Sequence, residues 1–244
     1  MSAALVVGAN GRIGEAICRR LGADGHTILP LARDAAALRR LVDALRAEGI
    51  DCAEPVAVDA TDDAGLTAGI EGLAAEHPLA VCVNNVGRGH RPAPLADLDP
   101  DEFDAVVAVT FRSVAVAMRA ELRALHRADG PRAIVNVASS AGTSAAPGMS
   151  AYVAAKHAVV GLTRTAALDE AAGDIRVNAV APGPIASGPI LTQSEETRAH
   201  VGSLMPLGRM GSAEEVASAV GWLASPAASY VTGVVLPVDG GKAA

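Results

Sequence analysis

Aromatic rings are scarce in this chain: two Tyr, two Phe and one Trp among 244 residues. So few rings leave little means of sandwiching a planar ligand, and recognition must rest on shape, aliphatic contact and hydroxyl groups. Lysine is scarcer still. Of 20 basic residues, only Lys156 and Lys242 are not Arg, so each Lys that the chain keeps asks for a reason. Cysteine is limited to Cys18, Cys52 and Cys82, an odd number in apolar patterns without CxxC spacing. They read as buried thiols of a reducing compartment rather than a disulfide framework. No apolar run approaches the roughly 20 residues of a membrane helix, although mean hydropathy is +0.31. The six His form no HxxxH pair or His/Cys cluster, so no metal ligand set is expected. Positive charge is short as well. The net charge is −7 at pH 7 and the basic residues are scattered, which excludes an electrostatic footprint for nucleic acid. Arg119, Arg123 and Arg127 form an i, i+4, i+8 stripe that reads as a solvated helix face. The start of the chain lacks a basic segment and a small-residue cleavage site, so a cytoplasmic protein is expected.

Half of the residues are hydrophobic, mostly Ala, Val and Leu in short runs, the pattern of a sheet buried on both faces. β-like runs at 3–7, 27–31, 53–58, 79–83, 133–137, 176–181 and 234–238 alternate with helical patterns near 12–23, 35–48, 63–76, 101–128, 151–172 and 213–224. The first helix sets Ile13, Ile17 and Leu21 on one side, four apart. This alternation predicts an α/β fold: a Rossmann-type doubly wound parallel sheet of seven strands with helices on both faces, in one domain over 1–244. Residues 184–212 break the rhythm. Rich in Pro and Gly with only a short helical pattern, they read as a substrate-binding loop.

The first strand runs into Gly8-Ala9-Asn10-Gly11-Arg12-Ile13-Gly14, which opens the first helix. Glycines there let a backbone approach a pyrophosphate seated on the positive end of the helix dipole. Alone the motif is weak, but it sits at the first βα junction, where the dinucleotide fingerprint belongs. The second strand ends Leu31-Ala32-Arg33-Asp34, with a guanidinium rather than a carboxylate at its tip. Arg33, helped by Arg12, suits a 2′-phosphate, which favours NADP over NAD; Asp34 reads as an N-cap of the next helix. Asp59-Ala60 at the end of the third strand places a carboxylate where it would accept from an adenine amino group. Asn84-Asn85-Val86-Gly87 forms a polar turn at the same edge.

After the fifth strand comes Ser139, then Tyr152 thirteen residues on, and Lys156 four beyond that. Positions i and i+4 share a helix face, so the ammonium lies beside the phenol and is expected to lower its pKa from roughly 10. Arg, a rigid fork, would serve less well than this compact ammonium.

Together these residues resemble the short-chain dehydrogenase/reductase family, in its single-domain branch of about 250 residues, and the likeness runs essentially end to end. The Asn84–Gly87 turn is similar to that family's NNAG motif, with Val86 for Ala. Ser139, Tyr152 and Lys156 match its catalytic trio. Pro182-Gly183 looks like its PG motif, with Ile185 following and Ser187 where a cofactor-contacting Thr is common. The stretches 208–217 and 232–241 match its usual ending. The resemblance implies that Tyr152 is the general acid in reduction, that Ser139 polarises the substrate oxygen, and that Lys156 binds the nicotinamide ribose and lowers the Tyr pKa. Two departures stand out. The glycine motif reads GxxGxxG, with Val7 for Thr and Arg12 where the family's middle Gly would fall. Thr110 replaces the Asn whose main-chain carbonyl holds a water in the proton relay, which puts the side-chain anchoring of its helix in question.

The expected activity is an NADP-dependent ketoreductase acting on a small aliphatic, alicyclic or acyl-thioester substrate. The alternatives are a cofactor-binding regulator or redox sensor with little turnover, and a dehydratase or epimerase-like enzyme on the same scaffold. The pocket is expected between 142–149, 90–94 and the 184–212 loop, lined by Met149, Ile190, Leu191, Leu204 and Met205, with His90, Arg91 and His157 at the rim or in solvent. Arg132 is the candidate base for docking an acyl carrier protein, with Asp169, Glu170 and Asp174 against it. Relatives imply a homotetramer, a homodimer being the lesser form, built on the two long helices and the last helix and strand. Ala154, Ala155, Val159, Gly161, Leu162 and Ala166 suggest a close-packing face. Trp222, Phe103 and Phe111 read as structural rings on core helix faces.

Overall fold

The computed structural model of the chain describes residues 2–244, except for the side chain of Pro189. Strands β1 (Ala3–Val7), β2 (Thr27–Ala32), β3 (Val56–Ala57), β4 (Leu79–Asn84), β5 (Arg132–Val137), β6 (Ile175–Pro182) and β7 (Val235–Val238) form one sheet. All pairings are parallel, in the order β3-β2-β1-β4-β5-β6-β7. The helices are α1 (Arg12–Ala23), α2 (Ala35–Ala47), α3 (Asp63–Glu76), α4 (Pro100–Val107), α5 (Ser113–Leu125), α6 (Ser150–Glu170), α7 (Glu195–Ser203) and α8 (Ala213–Ala224).

Side chains alternate along a strand, and this builds the two layers. On β1, Ala4 and Val6 enter a core with Ile17 and Leu21 of α1, Leu38 and Leu45 of α2, and Val216 and Val220 of α8. Ala3, Leu5 and Val7 face the other way, onto Leu66 and Ile70 of α3, Met118 and Leu125 of α5, and Val159 of α6. The doubly wound seven-stranded sheet is therefore the expected one. The order in which strands are added reverses between β1 and β4, and ligands of such sheets bind outside the strand ends at that switch point.

Three elements depart from expectation. The third strand, expected over 53–58, is reduced to Val56–Ala57 plus a bridge from Ile28 to Cys52. Pro55 lies between the two pairings, and proline has no N–H to give to a ladder. The helix expected over 101–128 is divided: a π-helical segment, Ala108–Arg112, separates α4 from α5. Trp222 is 40% exposed and not a core ring. It stands two residues, about 200° of helix, from buried Val220 and so points outward. Phe111 does pack on the core.

The 184–212 segment is a closed loop. Its ends are tied by a bridge between Ile185 and Gly211, with Gly211 N donating to Pro184 O at 3.0 Å and Ala186 N to Gly211 O at 2.9 Å. Within it, α7 is capped by Ser194, whose hydroxyl accepts from Thr197 N.

Candidate active site

Beyond the C-terminal ends of β1, β4, β5 and β6 lies a cleft of ≈ 420 Å³. Helix α1 contributes Ile13, and the turn after β4 contributes Asn85, Val86 and Gly87. Ser139 comes from the segment after β5, and Tyr152 and Lys156 from α6. Pro182, Gly183, Ile185 and Ser187 follow from β6 and the loop beyond it. Residues from five separate stretches of sequence thus meet in one place. Two larger hollows lie between helices, one of ≈ 920 Å³ along α3 and α5 and one of ≈ 670 Å³ between α1 and α8, and neither is lined by Ser139, Tyr152 or Lys156. Chemistry, not volume, selects the cleft.

The glycines of the first turn divide by cause. Gly8 has φ +81°, and a Cβ there would sit 2.6 Å from Asn85 O; at Gly14 it would sit 2.2 Å from Gly8 O. Both are required by the packing of the chain on itself. A Cβ on Gly11 would meet only Gly8 O at 3.9 Å, so the chain's own packing does not demand glycine there. Gly11 is also the N-cap of α1, and no side chain caps that end. A helix N-terminus with its N–H groups left open beside a small residue fits an anionic pyrophosphate. Asn85 fixes the turn from the other side, its Nδ2 donating to Gly8 O at 3.0 Å.

Lys156 is 3% exposed. Its ammonium donates to Val137 O at 2.7 Å and lies 3.5 Å from Val86 O, so it is braced against the ends of both β5 and β4. It stands 5.9 Å from the centre of the Tyr152 ring. Burial pushes the Lys156 ammonium down to about 8. The expected lowering of the Tyr152 pKa is not what the structure gives. Burial raises it, and a hydrogen bond with Ser139 offsets the rise in part. The Lys156 ammonium is drawn to the Val137 carbonyl, and desolvation of the phenol dominates. Ser139 Oγ also accepts from Ala141 N at 3.1 Å, which orients the hydroxyl.

Thr110 lies in the π-helical segment, fully buried. Its hydroxyl accepts from Arg88 N at 3.0 Å and donates to Arg88 O at 3.1 Å. One Thr oxygen thus provides both the donor and the acceptor needed to anchor this helix to the loop that follows Gly87.

Farther along the same edge, Arg33 and Asp59 are brought together at 3.8 Å, with the Arg33 side chain 81% exposed. The Thr61 N–H and hydroxyl, ahead of Arg33, hold the Asp59 carboxyl below its usual range. Asp34 accepts from Ala36 N and Ala37 N, the cap role expected of it. Asn10, Gly11 and Ala60 are not among the residues that line the cleft. Arg12 lines the hollow between α1 and α8, where its charge adds to the lowering of the Glu214 carboxyl behind the backbone and Ser212 hydrogen bonds.

Among the expected apolar lining, only Met149 borders the cleft. Met205 is buried under the chain's end, where a Cβ on Gly240 would meet it at 3.7 Å, and Leu204 is 63% exposed. His90 is a buried residue, its Nδ1 2.9 Å from Arg91 O, rather than a rim or solvent one. Arg132 lies at the opposite edge of the sheet, bound to the carbonyls of Leu125, Ala128 and Gly173. Its guanidinium is occupied there and is not beside the site. The sequence reading missed Val137, whose contribution is a main-chain carbonyl and so leaves no side-chain signal. It also passed over Gly89 and Ala138, which line the cleft through small surfaces, while Gly188 falls in the loop expected to wall it.

A family model described as enoyl-(acyl carrier protein) reductase matches residues 8–243. Among characterised proteins, the chain is 37% identical over 240 residues to the 3-oxoacyl-[acyl-carrier-protein] reductase FabG of Pseudomonas aeruginosa, covering 98% of this chain and 96% of that protein. It is 39% identical over 242 residues to the cis-4-hydroxycyclohexanecarboxylate dehydrogenase of Sinomonas cyclohexanicum, covering 99% and 96%. A crystal structure of an actinorhodin polyketide ketoreductase variant with NADPH superposes with a TM-score of 0.91 at 32% identity, covering 98% of this chain and 96% of that one. With the sheet order, the glycine turn and the Ser139, Tyr152 and Lys156 cleft, these matches establish that the chain belongs to the short-chain dehydrogenase/reductase family of oxidoreductases.

Proposed function

We propose that this protein is an NADP-dependent ketoreductase that interconverts a carbonyl and a secondary alcohol on a small aliphatic, alicyclic or acyl-thioester substrate. The observation that carries the reading is the convergence of Ser139, Tyr152 and Lys156 in one cleft beside the open N-terminus of α1. The dinucleotide, when bound, supplies or takes up the hydride. Gly11 and the α1 N-terminus would hold its pyrophosphate, Asn85 to Gly87 and Lys156 its nicotinamide half, and Pro182, Gly183, Ile185 and Ser187 the far wall. Asp59 and Ala60 would face the adenine. Tyr152 stays protonated until the substrate oxygen takes its proton, because burial holds the phenol up. The Lys156 ammonium favours negative charge as it develops on that phenol, and Ser139 fixes the substrate oxygen between them. Thr110 supports the same site through its main chain; π-helical segments are frequent at functional sites.

Arg33 is our choice for the 2′-phosphate, since it is exposed and its ion-pair partner, Asp59, is no closer than 3.8 Å. The relatives named for acyl-carrier-protein and hydroxycyclohexanecarboxylate substrates support the breadth of the substrate class. Among the described residues, no helix is long and apolar enough to cross a membrane, in keeping with a cytoplasmic enzyme. A homotetramer is the assembly we favour. The test is NADPH absorbance with a panel of ketones, run with Tyr152→Phe and Arg33→Ala. Tyr152→Phe should lose about 10²–10⁴-fold in turnover, and Arg33→Ala should weaken NADPH far more than NADH. Cofactor binding without turnover on any ketone would favour the regulator; equal losses for both dinucleotides would refute the phosphate contact.

A further inference from the structure

Beneath the cleft the protein buries a chain of polar side chains that neither cofactor binding nor proton transfer uses. Asn84 of β4, Asn136 of β5, Glu121 of α5 and Thr163 of α6 are each at most 1% exposed. Asn84 Nδ2 donates to Glu121 Oε2 and to Asn136 Oδ1, both at 3.0 Å. Asn136 Nδ2 donates to Thr163 Oγ1 at 2.9 Å and faces the Met118 sulfur at 3.3 Å; the Thr163 hydroxyl donates to Val159 O at 2.7 Å. Every amide and hydroxyl hydrogen in the set then has an acceptor. Two oxygens are left over, Asn84 Oδ1 and Glu121 Oε1, both buried without a partner. Turning the Asn84 amide over does not help, because its oxygen would then face the oxygens of Glu121 and Asn136. The titratable neighbour is Cys82 of β4, whose thiol burial keeps protonated.

We propose that Glu121 is a neutral carboxylic acid that donates its proton to Asn84 Oδ1, closing an acid–amide ring that positions the segments carrying the active site. A single proton satisfies both orphaned oxygens, and among the described residues no other group hydrogen-bonds to either of them. An ionised Glu121 would be a buried charge without a cation, which is strongly unfavourable. Burial accordingly pushes this carboxyl up to about 8. The positioning follows from what each member adjoins. Asn84 precedes Asn85, which fixes the glycine turn through Gly8 O. Asn136 precedes Val137, which accepts from Lys156 Nζ. Thr163 stands seven residues, about two turns, beyond Lys156 on α6. The ring and the hydrogen bonds from it to Asn136 and Thr163 thus join the β4, β5 and α6 segments whose ends make the cleft. Glu121 touches no reacting atom and is a positioning residue; its protonation does not depend on which dinucleotide or substrate the cleft takes.

The test is a carbon-13 NMR titration of the whole uniformly labelled protein. One Glu side-chain carboxyl should titrate near pH 8, and that transition should be absent from E121Q. If no Glu carboxyl of the wild type keeps its proton to about pH 8, the neutral acid is refuted, and this measurement needs no variant to fold. In the same titration, the amides of Asn85, Gly87 and Ser139 should show a transition lost in E121Q, beyond the Lys156 transition that both proteins share. Identical amide profiles would overturn the positioning role. E121Q should rescue what E121L loses, because a carboxamide both accepts from Asn84 Nδ2 and donates to Asn84 Oδ1; equal losses in the two variants would also count against the ring.

Discussion

Thr110 shows how much one hydroxyl can do. Its oxygen meets both the N–H and the carbonyl of Arg88, so Thr110→Val leaves two partly buried main-chain groups without that partner. We expect a loss of about 2 kcal/mol or more, roughly 4–8 °C in Tm for a chain of this size. Thr110→Ser should recover most of it, as thermal unfolding would show. Lys156 and Glu121 set two pH dependences. The Lys156 ammonium loses its proton near 8, below the ordinary lysine range, so reductive turnover should decline as pH rises through that value. A pH profile of kcat that stays flat well into the alkaline range would contradict this. Glu121 works on stability. The unfolded chain ionises this group near its ordinary value of about 4.3, while the folded one holds the proton to about 8. Between those values the folded form binds more protons, so stability should fall as pH rises across the window and level off above it. In E121Q that slope should be missing from a series of unfolding curves.

The junction of β1 and α1 separates two uses of glycine. Gly14→Ala would drive a Cβ to 2.2 Å from Gly8 O, with Ala9 O at 2.7 Å, and should compromise folding itself. Gly11→Ala has room within the chain and should fold with near-normal Tm while dinucleotide affinity falls, as fluorescence titration would read. If both variants lost stability equally, the division between packing and ligand approach would be wrong. The sequence showed the motif but could not sort its glycines, because the obstruction at Gly8 comes from Asn85, 77 residues away. Helix and strand positions, by contrast, were legible nearly throughout, since Ile13, Ile17 and Leu21 or the apolar run of β4 carry their period locally. The failures have tertiary or special causes. Pro55 interrupts an edge strand, and the π-helical segment at Ala108–Arg112 keeps a helical pattern while changing the hydrogen bonding.

At the scale of the molecule, the apolar surface that remains exposed is concentrated on a few rings and leucines. Leu168 is 80% exposed on α6, Trp222 lies on α8, and Tyr230, fully exposed, precedes β7. Of the α6 face read as a packing surface, Ala155, Val159 and Ala166 are buried within the chain itself. Ala154, Gly161 and Leu168, spaced by seven, form an exposed stripe of small and apolar residues on α6. If the tetramer is right, Trp222→Glu with Tyr230→Glu should shift the protein to a smaller species in sedimentation velocity; a monomeric wild type would rule the assembly out. The sequence by itself determined the sheet, its two layers and the candidate trio Ser139, Tyr152 and Lys156, because periodicity, turn glycines and a Tyr four residues before a Lys are local facts. Tertiary structure decided the rest. It placed Arg12 at the hollow between α1 and α8, turned Trp222 outward, drew Lys156 onto a main-chain carbonyl and sealed Glu121 against Asn84. Each of those depends on which distant groups share a low-dielectric interior, and no local pattern records that.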